Sequence, residues 1–342
     1  MQKKLIALAV ASLVSAPVFA QSNVQMYGTF DAGVRHVDNV KNGAGTDFGS
    51  QTTMESSGTY NSNRWGFTGS EDLGGGMKAN FTREGGFLTG SGQMDDNNTL
   101  FRRKQIVGLS GSWGRLDLGR NYTTIFYTTG AYDPLKYKYT GIIPIAGLDG
   151  ARRNNDIQYT SNSMNGFVVR AEYALGEQVG KQGGGGTSEI GLSYANGPLS
   201  LGTAYGSQKD NSDTLTTKNW TFGGKYAFTP FEIMAGYDVK KADKAGGGTG
   251  DTKNWWLGGR YDMGNANALS LGYYDTKTTN VVATNGTKKL WLVSFVHNLS
   301  KRTEMYVDID HTGLSGSQVL GAGTATTQNG VTGLSVGINH AF

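Results

Sequence analysis

The sequence predicts an all-β protein, a 16-stranded antiparallel transmembrane β-barrel with short periplasmic turns and long extracellular loops. Two patterns indicate this fold: apolar and polar residues alternate with period two along the chain, and short connections exchange regularly with long ones. Composition agrees, because 53 of the 342 residues are glycine and 11% are aromatic. Sixteen strands of about ten residues each need roughly 160 residues, which this length supplies with its loops.

Composition also excludes several classes of protein. The aromatic content is too high for a disordered chain, and the mean hydropathy of −0.39 does not fit a bundle of transmembrane helices. With no cysteine there is no disulfide framework and no thiolate site. The net charge of +4 is a mild excess that does not indicate nucleic-acid binding.

The first twenty residues, MQKKLIALAVASLVSAPVFA, have the pattern of a secretory signal peptide. Lys3 and Lys4 precede a short apolar run, and small residues precede a cleavage point after Ala20. We therefore expect residues 1–20 to be removed and residues 21–342 to form the barrel. No later apolar run is long enough to span a membrane as a helix, so a membrane location requires a closed barrel.

The first strand shows the alternation most clearly. Over residues 24–35, Val24, Met26, Phe30 and Val34 share one face, with polar residues prominent on the other. The same period recurs in residues 167–173, 189–194, 220–226, 305–310 and 334–342. A strand, rather than a helix, is the expectation for each segment.

The connections sort into eight long polar loops and seven short turns. The long loops span residues 38–60, 90–99, 121–151, 176–186, 207–217, 240–250, 275–286 and 312–329. This count gives about sixteen strands and places both chain termini on the side of the short turns.

Aromatic residues lie near the ends of many predicted strands, as in the interfacial girdles of outer-membrane barrels. They include Trp65, Phe81, Tyr173, Tyr194, Trp220, Tyr226, Tyr237, Trp255, Tyr261 and Tyr273. A soluble β-sandwich is the alternative, but its loops would not alternate strictly in length. The last strand ends on Phe342, which is similar to the C-terminal signal for outer-membrane insertion and predicts an assembly role for that residue.

The loop of residues 121–151, here named the constriction loop, is unusually long and is rich in tyrosine and isoleucine. Long irregular loops in compact folds are usually functional. A solvated loop would not need these apolar side chains, so we expect the constriction loop to fold into the lumen.

Five segments, in order along the chain, resemble one family. They are residues 24–34 (VQMYGTFDAGV), 63–73 (NRWGFTGSEDL), 106–120 (IVGLSGSWGRLDLGR), 299–303 (LSKRT) and the terminal INHAF. They resemble the trimeric general porins of the Gram-negative outer membrane, most closely the beta-proteobacterial and neisserial branch.

The resemblance implies a sixteen-stranded homotrimer in the cell outer membrane, with the third loop in the lumen. It implies passive diffusion of small hydrophilic solutes and ions, with no enzyme activity and no cofactor. The implied partners are outer-membrane lipids, lipopolysaccharide and the barrel assembly machinery.

The family also places a ladder of arginines on the wall opposite the third loop. By motif, Arg64 corresponds to the second strand's arginine and Arg120 to the arginine that ends the fifth strand. Arg152 or Arg153 corresponds to the arginine that starts the sixth strand. Because Ile157 shares its parity with Arg153, period two favours Arg152 as the inward residue.

The charge balance predicts an anion-preferring opening. Residues 120–153 hold five basic and two acidic side chains. The acids of the constriction loop are Asp133 and Asp149, and its lysines are Lys136 and Lys138. Asp31 and Asp117 are further lumen candidates that would offset this charge, and Arg170 is one that would extend it.

Two alternatives stay open. A substrate-specific channel for phosphate, a dicarboxylate or a sugar would use the loop tyrosines Tyr132, Tyr137 and Tyr139. A barrel hydrolase would need a histidine beside a nucleophile, and His36 and His311 could be neighbours after closure. No spacing of the four histidines indicates a metal site.

Overall fold

The computed structural model describes residues 23–41, 47–54, 57–96, 98–139, 151–281, 284–320 and 327–342. The predicted signal peptide lies outside this part of the chain. The described residues form one helix, α1 (Thr124–Ala131), and seventeen strands. The strands are β1 (Asn23–Lys41), β2 (Phe48–Met54), β3 (Arg64–Gly74), β4 (Met77–Gly86), β5 (Lys104–Gly111), β6 (Gly114–Tyr122), β7 (Arg152–Thr160), β8 (Phe167–Ala174), β9 (Thr187–Asn196), β10 (Leu199–Lys209), β11 (Thr216–Phe228), β12 (Phe231–Asp243), β13 (Thr249–Gly264), β14 (Asn267–Thr279), β15 (Gly286–Asn298), β16 (Thr303–Gly316) and β17 (Gly330–Ala341).

Sixteen of these strands form a closed antiparallel ring, as predicted. Each strand pairs with the next from β3 to β17, and β1 pairs with both β3 and β17. Closure ends at Phe342, whose backbone exchanges two hydrogen bonds of 3.1 Å with Gly28. Phe342 thus completes the ring, and its assembly role stays a prediction. No described helix has the length and apolarity needed to cross a membrane.

One strand, β2, is not part of the sixteen-stranded ring. It lies within the loop predicted over residues 38–60. It pairs with the outer part of β1, where Val34 lies opposite Met54 and Lys41 opposite Phe48. The wall strand β3 pairs only with residues 23–29 of β1. The outer part of β1 therefore forms a hairpin with β2 while its residues 34–37 still pair with β17, and alternation alone did not separate β2 from a loop.

Period two divides the wall into two faces. In β16, Tyr306, Asp308 and Asp310 are buried, whereas Met305 and Ile309 are exposed. The outward faces of β11 to β15 carry a belt of large rings, such as the exposed Trp255 and the half-buried Tyr273, whose centroids lie 5.0 Å apart. This belt confirms the outer-membrane type of barrel that the sequence predicted.

Candidate functional site

The constriction loop enters the lumen along β8 and β9. The Glu172 carboxylate accepts hydrogen bonds from the backbone N–H of Thr124 at 2.7 Å and from its hydroxyl at 2.8 Å. Glu189 accepts from the backbone N–H of Ile125 at 2.8 Å. The first N–H groups of a helix lack partners within the helix and carry partial positive charge, so carboxylates stabilise them. These two wall acids fix the start of α1 inside the barrel.

The loop then packs closely against β10, β11 and β13. A Cβ added to Gly202 or Gly223 would lie 2.7 Å or 2.6 Å from the Tyr132 side chain, so both glycines permit this approach. The indole N–H of Trp256 donates to the carbonyl of Tyr132 at 2.8 Å. The wall on this side is shaped to hold the loop.

Asp133 is buried in the same contact and is only 2% exposed. The Tyr274 hydroxyl donates to its carboxylate at 2.5 Å, and the backbone N–H of Tyr137 donates at 2.7 Å. Burial raises the pKa of Asp133 to about 6, although these hydrogen bonds act to lower it. Asp133 therefore positions the loop and does not present its charge to the opening.

An apolar cluster completes the anchor. It consists of Leu135, Tyr139, Trp256, Tyr274, Leu290 and Leu292. The last four residues face inward from β13, β14 and β15, which is unusual for a water-filled lumen. Removal of their apolar surface from water explains why the loop folds inward, as predicted. Residues 140–150, which include Asp149, lie outside the described residues.

A second segment, residues 57–63, also lies within the lumen, beside β1 and β16. Asp31 is 0% exposed and accepts a hydrogen bond from the backbone N–H of Thr59 at 2.7 Å. Tyr60 stacks on Tyr306 with ring centroids 4.7 Å apart. Asp31 is thus covered by this segment and holds it in place, so it does not add negative charge to the open lumen.

The two inward segments leave a cavity of about 270 Å³, here named the eyelet. It is lined by Asn61, Ser62, Arg64, Arg103, Tyr122, Phe126, Lys136, Tyr137, Lys138 and Arg152. Five of these side chains are cationic, three are aromatic and none is acidic. Predicted wall arginines and predicted loop lysines therefore line the same cavity.

Three of the five cations of the eyelet have acidic partners. Arg103 forms an ion pair with Glu84 at 2.9 Å. The ammonium of Lys136 lies 3.6 Å from Glu232. Lys138 reaches Glu304 on the far wall at 2.7 Å. None of these three acids is among the residues that line the eyelet.

The other two cations, Arg64 and Arg152, bind neutral groups. Arg64 donates to the Asn61 side chain at 3.1 Å. Arg152 donates to the carbonyl of Arg103 at 2.8 Å and to the Tyr122 hydroxyl at 2.5 Å. Among the described residues, neither guanidinium forms an ion pair with a carboxylate. The eyelet therefore holds an excess of two positive charges over its direct acid partners.

Arg120, the third predicted wall arginine, lies elsewhere. Its guanidinium donates to the carbonyl of Arg102 at 2.5 Å and also bonds the Asn154 side chain. Arg120 is not among the residues that line the eyelet. The structure thus places Arg120 at the outer end of β6, apart from the eyelet.

Arg152 lines the eyelet, whereas Arg153 faces a second inward space because a bulge in β7 reverses its parity. Asp156 lies opposite Gly119 and Arg153 opposite Asn121, so β7 has one extra residue between them. Asn155 occupies the left-handed region with φ of 54°. Arg153 therefore also faces inward, where it donates to Gln208 at 3.1 Å in a smaller cavity of about 100 Å³ behind α1. Parity does not carry across such a bulge.

The remaining lumen candidates are engaged in local contacts. Asp117 forms an ion pair with Arg115 at 2.8 Å. The guanidinium carbon of Arg170 lies 4.2 Å from the centroid of the Tyr127 ring. Neither of the two predicted residues lines the eyelet.

The two histidines considered for hydrolysis lie on either side of β17. The ring Nδ1 of His36 lies 2.8 Å from the Thr52 hydroxyl, and that of His311 lies 3.0 Å from Thr332. In the described part of the chain, no group of three or more histidine, aspartate or glutamate residues is arranged to hold a metal ion.

Sequence reasoning missed Arg103, whereas the aromatic residues of the eyelet belong to the loop that was expected to fold inward. Arg102 and Arg103 stand directly before β5, which pairs with β4 and β6. Their position at a strand start beside the constriction loop was the available signal. Only the fold shows that Arg103 faces the lumen and Arg102 pairs with Asp95 at 2.6 Å.

Comparisons with known proteins agree with this architecture. The family model described as Gram-negative porin matches residues 7–317. Outer membrane porin protein 32 of Delftia acidovorans is 32% identical over 370 residues, which cover 100% of each chain. Major outer membrane protein P.IB of Neisseria meningitidis serogroup A is 29% identical over 246 residues, covering 70% of this chain and 67% of the relative.

A solved structure extends the match to three dimensions. The anion-selective porin from Comamonas acidovorans aligns with a TM-score of 0.78 and 27% identity. The alignment covers 94% of this chain and 100% of that porin.

Proposed function

The chain belongs to the Gram-negative porin family and forms a diffusion channel in the outer membrane, and we propose that this channel prefers anions. The observation that carries the proposal is the eyelet, which five cations and no acid line among the residues that the structure describes. A narrow opening with low-dielectric walls strengthens the field of fixed charges and raises the local concentration of counter-ions.

Arg64 and Arg152 supply the excess charge. Both guanidiniums bind neutral oxygen atoms, so their charge stays available to a passing anion. Guanidinium groups remain protonated at all working pH values, so the charge that these two arginines contribute does not change with pH. The anion selectivity of the structurally similar Comamonas porin supports the same assignment.

Reversal potentials in planar bilayers under a KCl gradient test the proposal. We expect chloride preference in the wild type, and a permeability ratio near one in the double variant Arg64→Gln/Arg152→Gln. Arg302→Gln is the matched control, because Arg302 lies in a short turn outside the lumen. Cation preference in the wild type, or an unchanged ratio in the double variant, would contradict the proposal.

We further propose that three copies assemble through the outward faces of β1 and β3 to β6. A groove of about 650 Å³ on this surface is lined by Phe67, Phe81, Arg83, Gln105 and Val107, among others. A guanidinium that faces hydrocarbon is costly, so a second copy would cover Arg83 better than lipid would. Lipids and lipopolysaccharide would then contact the remaining outward surface with its aromatic belt.

The mass of the protein in detergent solution tests this assembly. We expect a trimer for the wild type and for Lys218→Glu, whose exposed lysine lies on the outward face of β11. Arg83→Glu should shift the protein toward monomer. A monomeric wild type would overturn the proposed assembly without affecting the proposed selectivity.

A further inference from the structure

Aromatic rings line the loop side of the eyelet. Tyr122 and Phe126 stack with centroids 4.7 Å apart, and Phe126 and Tyr137 stack at 4.4 Å. All three residues are half-buried, so part of each side chain remains accessible. The eyelet therefore presents an apolar aromatic surface as well as charge.

A guanidinium extends this column of rings. The guanidinium carbon of Arg152 lies 4.2 Å from the centroid of the Tyr122 ring. The eyelet's other arginine without an acid partner among the described residues, Arg64, lines the same cavity. Guanidinium planes stack on aromatic faces and also bind carboxylates through two hydrogen bonds. One solute that carries both a ring and a carboxylate can satisfy the two preferences together.

The size of the eyelet permits such a solute. Its volume of about 270 Å³ exceeds the roughly 150 Å³ of an apolar cavity that accepts benzene. A carboxylate added to such a ring still fits the space.

We propose that the eyelet is a binding site for aromatic monocarboxylates, which it retains more strongly than aliphatic ones of equal charge. This proposal rests on the anion preference proposed above and names a solute class for the same opening. The carboxylate contacts Arg64 and Arg152, and the ring packs beside Phe126. Acetate uses only the charges of the eyelet, and an uncharged aromatic solute uses only its rings.

Blockage of the chloride current by added carboxylates provides the test. Benzoate, cyclohexanecarboxylate and acetate are each titrated onto the wild-type protein in a planar bilayer bathed in KCl. We expect half-blockage by benzoate at a concentration about tenfold below that for acetate. Cyclohexanecarboxylate, which has the charge and the apolar ring but no π-system, should need several times more than benzoate.

A matched pair of variants locates the site. Phe126→Leu removes the middle ring of the column and keeps an apolar side chain, so benzoate should lose its advantage over acetate. Tyr127→Leu is the control, because Tyr127 lies on the same helix but does not line the eyelet. If Phe126→Leu does not insert as a channel, Tyr137→Leu tests the same column.

Each contrary result has a distinct meaning. Equal blockage by benzoate and acetate in a chloride-preferring wild type would overturn the aromatic site and leave the proposed anion channel intact. Equal blockage by benzoate and cyclohexanecarboxylate would overturn recognition of the aromatic ring. A wild type without chloride preference would overturn the proposed function itself.

Discussion

The two sides of helix α1 use charge in opposite ways. On the wall side, Glu172 and Glu189 are buried and accept hydrogen bonds from the start of the helix. On the open side, Arg64 and Arg152 keep their charge unopposed by any described carboxylate within ion-pair distance. The wall acids are engaged in holding the loop, so they do not neutralise the opening. Charged side chains that anchor the loop must therefore be separate from those that a solute contacts.

Substitution of Glu172 should have the largest effect, because this residue anchors the constriction loop on the wall side of the helix. Glu172→Ala removes two hydrogen bonds to Thr124 and a third from Gln158 at 2.8 Å. Each bond to a charged group contributes about 1.5–3 kcal/mol, and relief of repulsion from Glu189, which lies directly opposite, offsets part of the loss. We expect docking of the loop to weaken by roughly 2–4 kcal/mol.

The measurement is open-channel current noise, together with protease cleavage within the constriction loop. Both should increase in Glu172→Ala. Glu71→Ala serves as the control, because Glu71 is exposed at the far end of β3. Noise and cleavage at the wild-type level would show that the wall acids do not hold the loop.

A smaller effect should follow the ionisation of Asp133. Because burial raises its pKa to about 6 in the folded protein, above the ordinary value of 3.8, the protonated carboxyl is favoured when the loop is docked. Docking should be fully favoured below about pH 3.8 and should weaken as the pH rises through about 6. Channel noise should therefore be greater at pH 8 than at pH 5.

Asp133→Asn isolates this group, since asparagine resembles the protonated acid and does not titrate. The variant should show the same noise at both pH values. A pH dependence that persists in Asp133→Asn would assign the effect to another group.

Substitution of Arg120 should have the smallest effect on ion selectivity. It tests whether the role of an arginine follows from its place in the fold or from its place in a motif. The motif placed Arg120 in the arginine ladder, whereas its guanidinium contacts Arg102 and Asn154 outside the eyelet. Arg120→Gln should leave the chloride-to-potassium permeability ratio within experimental error of the wild type. A decrease as large as that in Arg64→Gln would return Arg120 to the selectivity-determining wall.

The alternation of residues and the alternation of long loops with short turns together predicted the ring of strands, because period two reports the two faces of each strand and loop length reports the two ends of a barrel. Parity was insufficient for individual wall residues where a local irregularity intervened. The extra residue near Asn155 reverses the parity of Arg153 relative to Ile157, so Arg153 also faces inward, while Arg152, the first residue of β7, lines the eyelet. Parity was reliable only within an uninterrupted strand.

The roles of the acids could not be predicted for a different reason. Asp133 belongs to the predicted loop, but its burial depends on Tyr274, which lies 141 positions along the chain. The contact of Glu189 with α1 likewise spans 64 positions. A count of charges in the loop treats Asp133 as part of the opening and leaves Glu189 out, whereas only long-range packing determines which charges a solute contacts.

Reversal of charge at the two unopposed arginines tests the central claim most directly. The double variant Arg64→Glu/Arg152→Glu replaces the excess of two positive charges in the eyelet with an excess of negative charge. Under a KCl gradient, we expect the wild-type reversal potential to report chloride preference and that of the double variant to have the opposite sign. Continued chloride preference in an inserted, conducting double variant would contradict the account, because selectivity would then be set outside the eyelet.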